Sequence, residues 1–383
     1  MTVEMKKYKL GDVGEFLNGK IRPTEKGNFP VYGGNGILDY CDQYNYENVI
    51  IIGRVGAYCG CVSACFDKCW VSDNAIAFRP NDENDIHYLK YLLTSLNLNK
   101  KHVGAAQPLM TQGILKSLDI LLPEFKIQQK IASILSTLDN RIENLRAQNR
   151  VLEQTAKTIY DYTFLQCAGH QTTYNKTLNR NVPTDWEVKK LGDCLASIST
   201  GLNPRQNFTL GNGSIKYITV KNLTLDGSID YSGCDFIDES ARAKVHKRSN
   251  IKVGDILFAS ISPLGRCHLI QEKPEDWDIN ESVFSLSPAD LTARYYLYSF
   301  LRSQEFIAKA EQRATGSIFL GIRVDTLKKM EVLWPDSKTL GKFNTQIEPI
   351  FKKQLVNTKQ IEALTTQRNT LLPLLMTGQV KIV

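Results

Sequence analysis

Two long stretches of the chain place apolar residues at alternating spacings of four and three. The first follows Pro123 and contains neither proline nor glycine between Lys126 and Leu165. This heptad pattern predicts an amphipathic helix of about 40 residues, which at ~1.5 Å per residue is ~60 Å long. Because one helix of this length cannot bury its apolar stripe alone, it needs a partner helix. The stripe positions are Ile131, Leu135, Leu138, Ile142, Leu145, Asn149, Leu152, Ala156 and Ile159.

The second stretch lies near the end of the printed sequence and supplies that partner. Its stripe is interrupted by Gln354 and Asn357, and Arg368 stands where the first stretch has Ala156. Polar residues at such positions fix the register of a coiled coil at some loss of stability. We therefore expect an intramolecular coiled coil with a break or kink near Pro373. The alternative is a helix that lies on the surface of its own globule. The apolar positions are Phe343, Ile347, Ile350, Ile361, Leu364, Leu371 and Leu375.

The sequence before each long helix follows one plan twice. Lys9-Leu10-Gly11-Asp12 recurs as Lys190-Leu191-Gly192-Asp193. The stretch from Gly104 to Pro123 aligns without gaps with the stretch from Gly316 to Pro335. Between these landmarks, β-branched runs alternate with glycine turns. The pattern predicts an internal tandem repeat of two α+β globules, each mostly strand with a few helices.

These patterns divide the chain into five parts. We predict a first globule at 1–123, a first long helix at 124–166, a linker at 167–185, a second globule at 186–335 and a second long helix at 336–383. The linker is assigned because its residues are rich in Thr, Asn and Gly. Each globule should contain one clear helix, near 86–99 in the first and near 292–311 in the second.

Composition and charge narrow the function only slightly. The chain has 383 residues, of which 42% are hydrophobic and 23% charged, and its net charge is +7. This charge is spread evenly along the chain, which permits a nucleic-acid partner without requiring one. No apolar run of about 18 residues and no secretory signal can be read. We therefore expect a cytoplasmic protein without a membrane span.

Sequence motifs for catalysis or metal binding are not found. Five of the nine cysteines lie between Cys41 and Cys69. Their spacing does not match the paired C-x2-C of zinc ribbons or fingers, so small buried residues in strands are favoured over a metal site. The sequence contains no phosphate-binding loop, no H-E-x-x-H and no G-x-S-x-G. We predict no catalytic residue and no metal site on this chain.

The order of globule, proline and long helix, present twice, resembles the DNA-specificity (S) subunit of type I restriction–modification systems. The resemblance rests on the two Lys-Leu-Gly-Asp openings, on the run from Gly53 to Gly60, and on the aligned segments that end at Pro123 and Pro335. After the first of these prolines, the sequence is similar to the family's junction P-x4-Q-x2-I-x3-L-x2-L-D. The second junction has Gly341 where the first has glutamine, and it lacks the Leu-Asp ending.

The resemblance implies a subunit that is not itself an enzyme. Each globule would be a target recognition domain that reads one half of a bipartite site in double-stranded DNA. The two helices would pack antiparallel as a spacer with pseudo-twofold symmetry and would dock two methyltransferase (M) subunits, which restriction (R) subunits join. The complex would use S-adenosylmethionine, ATP and Mg²⁺, none of them on this chain. The alternatives are a coiled-coil protein-binding adaptor and a DNA-modifying enzyme with an unrecognised active site.

The DNA-binding candidates are loop residues that could contact phosphates or base edges. Arg54 and Arg266 lie in loops that follow corresponding strands, although Arg54 could instead form a salt bridge at the loop rim. Lys20 and Arg22 could be solvated charges, and Asn35 could be a left-handed turn residue. The first-globule candidates are Lys20, Arg22, Asn35, Arg54, Lys100, Lys101 and Gln107. The second-globule candidates are Arg205, Lys221, Asn222, Ser260, Arg266, Arg313, Ser317 and Arg323.

A second group of candidates lies on the first long helix. Gln128, Gln129 and Asn149 are expected to be exposed and to contact methyltransferase helices, as the resemblance implies. The alternative for Lys100 and Lys101 in the first globule is simpler, because cations complement the dipole at the end of a helix.

Overall fold

Two long helices and many short strands make up the structure, a computed structural model that describes residues 4–104, 108–316 and 320–380. The chain divides into two units. Unit 1 comprises Met1–Leu145 together with Lys359–Val383, and unit 2 comprises Arg146–Thr358. The borders fall inside the long helices and not at the prolines before them. Each unit therefore contains one globule and a part of both helices.

Unit 1 is built on a mixed sheet. Its strands are β1 (Lys6–Lys9), β2 (Gly14–Asn18), β3 (Phe29–Gly33), β4 (Gly36–Cys41), β5 (Tyr46–Gly53), β6 (Val62–Val71), β7 (Ala75–Pro80) and β8 (Asp119–Leu122). Its helices are α1 (Ile86–Ser95), α2 (Gln112–Ser117) and the first part of α3 (Phe125–Tyr160). The sheet has the order β2-β7-β5-β6-β3-β4, and β1 pairs separately with β8 in antiparallel orientation.

The centre of this sheet is β5, whose run from Val49 to Ile52 is fully buried. Ile50 and Ile52 pack into a cluster with α1, while Val49 and Ile51 pack into a second cluster on the other face. Burial on both faces explains why the run is continuously apolar and does not alternate.

Four of the five cysteines of unit 1 are buried, and Cys61 is exposed. Cys65 and Cys69 lie in the same cluster as Val49, and Cys41 and Cys59 are also buried. Burial raises the pKa of the Cys59 thiol, which keeps it protonated. Among the described residues, no group of three or more His, Cys, Asp or Glu is placed to hold a metal ion.

Unit 2 contains the remaining elements. Its strands are β9 (Thr172–Asn175), β10 (Arg180–Pro183), β11 (Glu187–Lys190), β12 (Leu195–Thr200), β13 (Ile215–Ile218), β14 (Asp235–Ile237), β15 (Ile256–Ala259), β16 (Cys267–Leu269), β17 (Trp277–Ile279), β18 (Val283–Pro288) and β19 (Glu331–Trp334). Its helices are α4 (Glu239–Ser249), α5 (Arg294–Leu301), α6 (Gln304–Arg313), α7 (Val324–Lys328) and the first part of α8 (Ser337–Met376). A π-helical turn, Asp161–Leu165, continues α3.

The strand orders of the two units correspond element by element. Unit 2 has one sheet ordered β12-β18-β15-β16 and another ordered β14-β13-β17. Strands β16 and β17, which are separated by residues 270–276, together correspond to β6 of unit 1. With this correspondence, the two sheets of unit 2 have the same strand order as the sheet of unit 1. As β1 pairs with β8, so β11 pairs with β19. The predicted tandem repeat is therefore present in the strand order.

The glycine of the duplicated Lys-Leu-Gly-Asp opening has the same role in both copies. A Cβ atom on Gly11 would lie 3.0 Å from Cβ of Lys116, and one on Gly192 would lie 3.1 Å from Cβ of Lys328. The opening turn thus lies directly against the short helix α2 or α7. The leucine of the motif is fully buried in each copy, which accounts for the sequence repeat.

Segments of the two long helices contact each other within each unit. In unit 1, Asp139 of α3 accepts a hydrogen bond from Arg368 of α8 at 2.9 Å. In unit 2, Asn149 accepts from Asn357 at 2.9 Å, and Glu153 accepts from Gln354 at 3.4 Å. From Asn149 to Glu153 the residue number rises along α3, whereas the bonded residue of α8 changes from Asn357 to Gln354. The two helix segments in unit 2 therefore run in opposite directions.

Helix α8 passes through Pro373 and ends at Met376, so a break at this proline is wrong, and a kink there stays a prediction. None of the helices in the described ranges is both long and apolar enough to cross a membrane.

The region predicted as a linker contains the hairpin β9–β10. Asn175 turns the chain, because its side-chain oxygen accepts hydrogen bonds from the N–H groups of Thr177 and Leu178. The single helix expected near 292–311 is also wrong. It is divided into α5 and α6 at Ser303, whose side chain accepts from the N–H of Phe306 and starts a new helix. Helix α4 was not predicted.

Candidate nucleic-acid interface

Several segments of unit 1 meet at one edge of the sheet. The N–H of Arg54 donates to the carbonyl of Asn74 at 2.9 Å, and the carbonyl of Arg54 accepts from Met110 at 2.8 Å. The N–H of Ser72 donates to the carbonyl of Tyr32 at 2.9 Å. The N–H of Lys20 donates to Val71 and draws the end of β2 to the same place. We call this the first loop edge, defined by residues 18–22, 33–38, 53–60, 72–74 and 108–110.

Arg54 and Lys20 present free cationic groups at the first loop edge. Both side chains are exposed, and neither makes an ion pair with any residue that the structure describes. Arg22 instead lies 3.7 Å from Asp39, which also binds Lys26 at 2.5 Å. The hydrogen bond from Lys26 lowers the pKa of Asp39, so this carboxylate stays ionised and offsets part of the positive charge.

Asn35 lies in the two-residue connection between β3 and β4 and is exposed. The left-handed position of this turn is Gly36, with φ of +82°. The explanation of Asn35 as a left-handed turn residue is therefore wrong, and its amide is free to contact a ligand.

Lys100 ends the turn Leu98–Lys100, and Lys101 follows it. Both side chains are exposed. Helix α1 already ends at Ser95, so these lysines lie beyond the last turn, where the helix dipole acts. Gln107 lies outside the described residues.

The corresponding edge of unit 2 has the same backbone pairing. The N–H of Ser260 donates to the carbonyl of Ser282 at 3.1 Å, and the carbonyl of Ser260 accepts from Ile322 at 2.8 Å. Ser260 is therefore the counterpart of Arg54, and Arg266 lies at the other end of the same loop, between β15 and β16. Ser260 is buried and its hydroxyl donates to Ser282 at 2.7 Å, so its side chain is part of the loop and is not displayed for DNA.

Arg266 has a structural role in the geometry observed. Its guanidinium donates to the carbonyls of Val220, Pro263 and Ile261, at 2.6, 3.0 and 3.2 Å. Burial lowers the pKa of the guanidinium, and this cost is offset by the three carbonyl partners. Three of its five N–H donors are thus used within the loop, which leaves two for any contact with DNA.

Asn222 is a buried turn residue. Its side-chain oxygen accepts from the N–H of Thr219 at 2.9 Å, and its amide donates to the carbonyl of Asp230 at 2.9 Å. The expectation that it contacts DNA conflicts with this burial, because both ends of the amide are used internally. The neighbouring Lys221 is exposed.

The other candidates of unit 2 differ in their exposure and in whether they form ion pairs. Arg205 is exposed after Pro204, and Arg323 is exposed at the start of α7. Arg313 pairs with Glu331 at 3.1 Å. Ser317 lies outside the described residues.

Two of the three helix candidates are not exposed. Gln128 is buried, donates to the carbonyl of Pro123 and to Asn84, and accepts from the N–H of Asp85. It fixes the start of α3 on the globule. Asn149 is half-buried against Asn357. Only Gln129 matches the expected exposure.

Other exposed residues at the first loop edge were not among the candidates. Tyr58, Asn74, Ile37 and Leu38 all have exposed side chains there. They are distant in sequence, and only the backbone pairing brings them together. The one local signal was the polar turn that contains Asn74 between two apolar strands.

One serine–histidine–aspartate set in unit 2 bears on the enzyme alternative. Asp278 is fully buried, accepts from Ser249 at 2.6 Å and lies 3.0 Å from Nδ1 of His246. Burial raises the pKa of Asp278. Serine and histidine both contact the carboxylate, whereas a nucleophilic serine must contact the histidine. This set therefore stabilises the packing of α4 on β17 and does not form a catalytic triad.

Comparison with known families accounts for the duplicated fold. A family model described as "Type I restriction modification DNA specificity domain" matches residues 2–154 and again residues 183–370. The chain belongs to this family. Its two matches each contain one globule and part of a long helix, in agreement with the tandem repeat.

Individual relatives show the same family over most of the chain. It is 27% identical over 311 residues to the type I restriction enzyme MjaIX specificity subunit of Methanocaldococcus jannaschii, covering 79% of this chain and 71% of the relative. It is 22% identical over 333 residues to the HindI specificity subunit of Haemophilus influenzae, covering 71% of each. The crystal structure of an S subunit from M. genitalium shares the fold, with a TM-score of 0.64 at 17% identity, over 100% of this chain and 97% of that one.

Proposed function

We propose that this specificity-family chain directs a type I restriction–modification complex to a bipartite site in double-stranded DNA. Each unit reads one half-site through its loop edge. The two long helices act as an antiparallel coiled-coil spacer that sets the distance between the half-sites and docks two M subunits, which R subunits join. The chain carries no catalytic centre, and S-adenosylmethionine, ATP and Mg²⁺ belong to its partners.

The observation that carries this proposal is a shared strand frame with unlike loops. Arg54 and Ser260 occupy the same backbone position, but one side chain is exposed and cationic whereas the other is buried and neutral. Two readers with the same frame and different loops suit two different half-sites, because base edges are distinguished by side-chain chemistry.

The weak positive charge of the chain supports the proposal that this chain and its M subunits bind the DNA together. A net charge of +7 over 383 residues gives few phosphate contacts, and Arg22 and Arg313 are already paired with carboxylates. Affinity for DNA depends mainly on phosphate contacts. The M subunits would supply the additional contacts that hold the duplex, while this chain supplies selectivity.

The test is co-expression of the chain with a methyltransferase (M) subunit from the same source, followed by mapping of methylated adenines across the host genome. The expected result is one split motif with a fixed gap and one methylated adenine in each half. Random or absent methylation would contradict the proposal. Methylation of DNA by the purified chain alone would instead support the enzyme alternative.

A pair of variants assigns one half-site to unit 1. Arg54→Ala should relax or change recognition in a single half of the motif, because this guanidinium is free at the first loop edge. Arg79→Ala removes another exposed arginine of unit 1, on β7 outside that edge, and should leave the motif unchanged. Equal effects of the two changes would show that general charge, and not the loop edge, determines recognition.

A further inference from the structure

Exposed apolar side chains are concentrated at the turn between β3 and β4. Ile37 is 49% exposed, Leu38 is 53% exposed, and Tyr58 of the neighbouring loop is 51% exposed. Single exposed apolar residues are common on protein surfaces and need no explanation. Three large ones around one turn, beside free cationic groups, indicate a surface that a partner covers.

The backbone holds these side chains in fixed places. Leu38 is the extra residue of an irregularity in the β3–β4 pairing, which passes from Val31↔Asp39 to Tyr32↔Ile37. Its side chain lies over Gly33, since a Cβ atom there would be 2.4 Å from Cδ1 of Leu38.

The other side of the turn rests on the loop after β5. A Cβ atom on Gly34 would lie 3.5 Å from Cβ of Tyr58 and 3.6 Å from Cα of Gly53. The turn formed by Gly34 and Asn35 is therefore held between the side chains of Leu38 and Tyr58, and the free amide of Asn35 lies at its end.

We propose that this hairpin tip, residues 34–38 with Tyr58, enters the major groove and that Ile37 and Leu38 contact the methyl group of a thymine. The proposal rests on the proposed function and names the base class that unit 1 reads. A two-stranded β ribbon fits the major groove, and the thymine methyl is the one apolar group displayed there.

The polar residues around the tip fit the same occupant. The amide of Asn35 suits an adenine edge, and Arg54 suits a guanine edge or a phosphate. Lys20 lies on a neighbouring segment of the same edge and suits a phosphate, which positions the ribbon without reading sequence. An acidic partner protein is the alternative occupant, and the uracil duplex described below distinguishes it from DNA.

Unit 2 differs from unit 1 at this place. Strands β13 and β14 correspond to β3 and β4, but residues 219–234 connect them where unit 1 has only Gly34 and Asn35. The frame is shared and the connection is not. This is expected if the connection determines which half-site each unit reads.

The first experiment uses the complete complex with the double change Ile37→Ala and Leu38→Ala. Mapping of methylated adenines should show relaxed preference at one or two A·T positions in one half of the motif, with roughly 10-fold weaker discrimination and the other half unchanged. The matched control is Phe66→Ala, which removes a side chain that is 45% exposed and stacks on His87 at 4.0 Å. It should give the wild-type motif.

The second experiment isolates the methyl group. Duplexes carrying the mapped motif are made with deoxyuridine in place of thymidine in the affected half, which removes only the methyl. The wild-type complex should bind the uracil duplex several-fold more weakly, whereas the double variant should bind the two duplexes equally.

The outcomes separate this inference from the proposed function. If the wild-type complex methylates a split motif but uracil substitution and the double change leave recognition unaltered, the hairpin inference is overturned and the specificity role stands. If the wild-type complex recognises no split motif, the proposed function fails and the inference fails with it. The control is thermal unfolding of the double variant. A Tm equal to that of the wild type would show that the loss of recognition is not due to misfolding.

Discussion

Asp139 connects three elements of unit 1 and should be a main determinant of its stability. Its carboxylate accepts hydrogen bonds from Tyr91 of α1 at 2.6 Å and from Arg368 of α8 at 2.9 Å, and Lys90 lies 3.8 Å away. Burial alone would raise the pKa of Asp139. The hydrogen bonds from Tyr91 and Arg368, together with the positive charges of Lys90 and Arg368, outweigh burial and hold the pKa of Asp139 below its ordinary value.

The change Asp139→Asn keeps the shape but removes the charge. A hydrogen bond to a charged group contributes ~1.5–3 kcal/mol, and the amide can retain a weaker neutral bond. The carboxylate and the guanidinium are 25% and 32% exposed, so we take the lower part of this range and expect a loss of about 2 kcal/mol. For a unit of this size, 1 kcal/mol shifts Tm by about 2–4 °C, so the unfolding transition of unit 1 should fall by about 4–8 °C.

The assay is thermal unfolding with hydrogen exchange to assign the transition to unit 1. Asp119→Asn is the matched control, because its ion pairs with Lys7 and Lys9 are half exposed and should change Tm little. The reasoning is refuted if the two variants lower Tm equally. Because the folded pKa is depressed, the contribution of Asp139 is present above the unfolded pKa. It should disappear as the pH falls through the folded pKa, where wild type and Asp139→Asn converge.

Three further stability predictions concern unit 2 and helix α8. Gly201→Ala would place a Cβ atom 1.7 Å from the carbonyl oxygen of Ile279, so we expect a loss of about 3 kcal/mol in denaturant unfolding. Gly341→Ala, with nothing within 4 Å, should instead add about 1 kcal/mol through helix propensity. Asn222→Ala should cost about 2 kcal/mol in the same assay because the N–H of Thr219 and the carbonyl of Asp230 lose their buried side-chain partner. Lys221→Ala should leave stability unchanged but weaken DNA binding by the complex.

The long helices could be predicted because their signal is local. Apolar residues spaced three and four apart identify a helix without knowledge of what covers it. Helix α4 shows the limit of this signal. Its sequence from Glu239 to Ser249 buries only Ala241, Val245 and Ser249, so its pattern is mostly polar. Tertiary contact, and not periodicity, determines that it is a helix.

The candidate site was harder to predict because exposure depends on backbone register. Arg54 and Arg266 are both arginines near glycines after a strand, yet one is displayed and the other is held by three carbonyls. Gln128 lies on a helix next to an exposed glutamine, yet it is buried where α3 meets the globule. Residue type and spacing alone do not distinguish these cases.

Two pairs of corresponding positions in the long helices differ in chemistry between the copies, and their contacts explain the difference. Under the gap-free alignment of the copies, Asp139 corresponds to Phe351, and Ala156 corresponds to Arg368. In unit 1 the two charged members bind each other. In unit 2, Phe351 packs on Tyr298 with ring centres 5.3 Å apart, and Ala156 is buried in the same cluster. Exchanging partners between the two sets would place Asp139 beside Phe351 and separate it from Arg368, which is unfavourable because it breaks a partly buried ion pair. The ion pair of Asp139 with Arg368, which interrupts the apolar stripe of α8, therefore favours this pairing of helix segments over others that an unbroken stripe would allow.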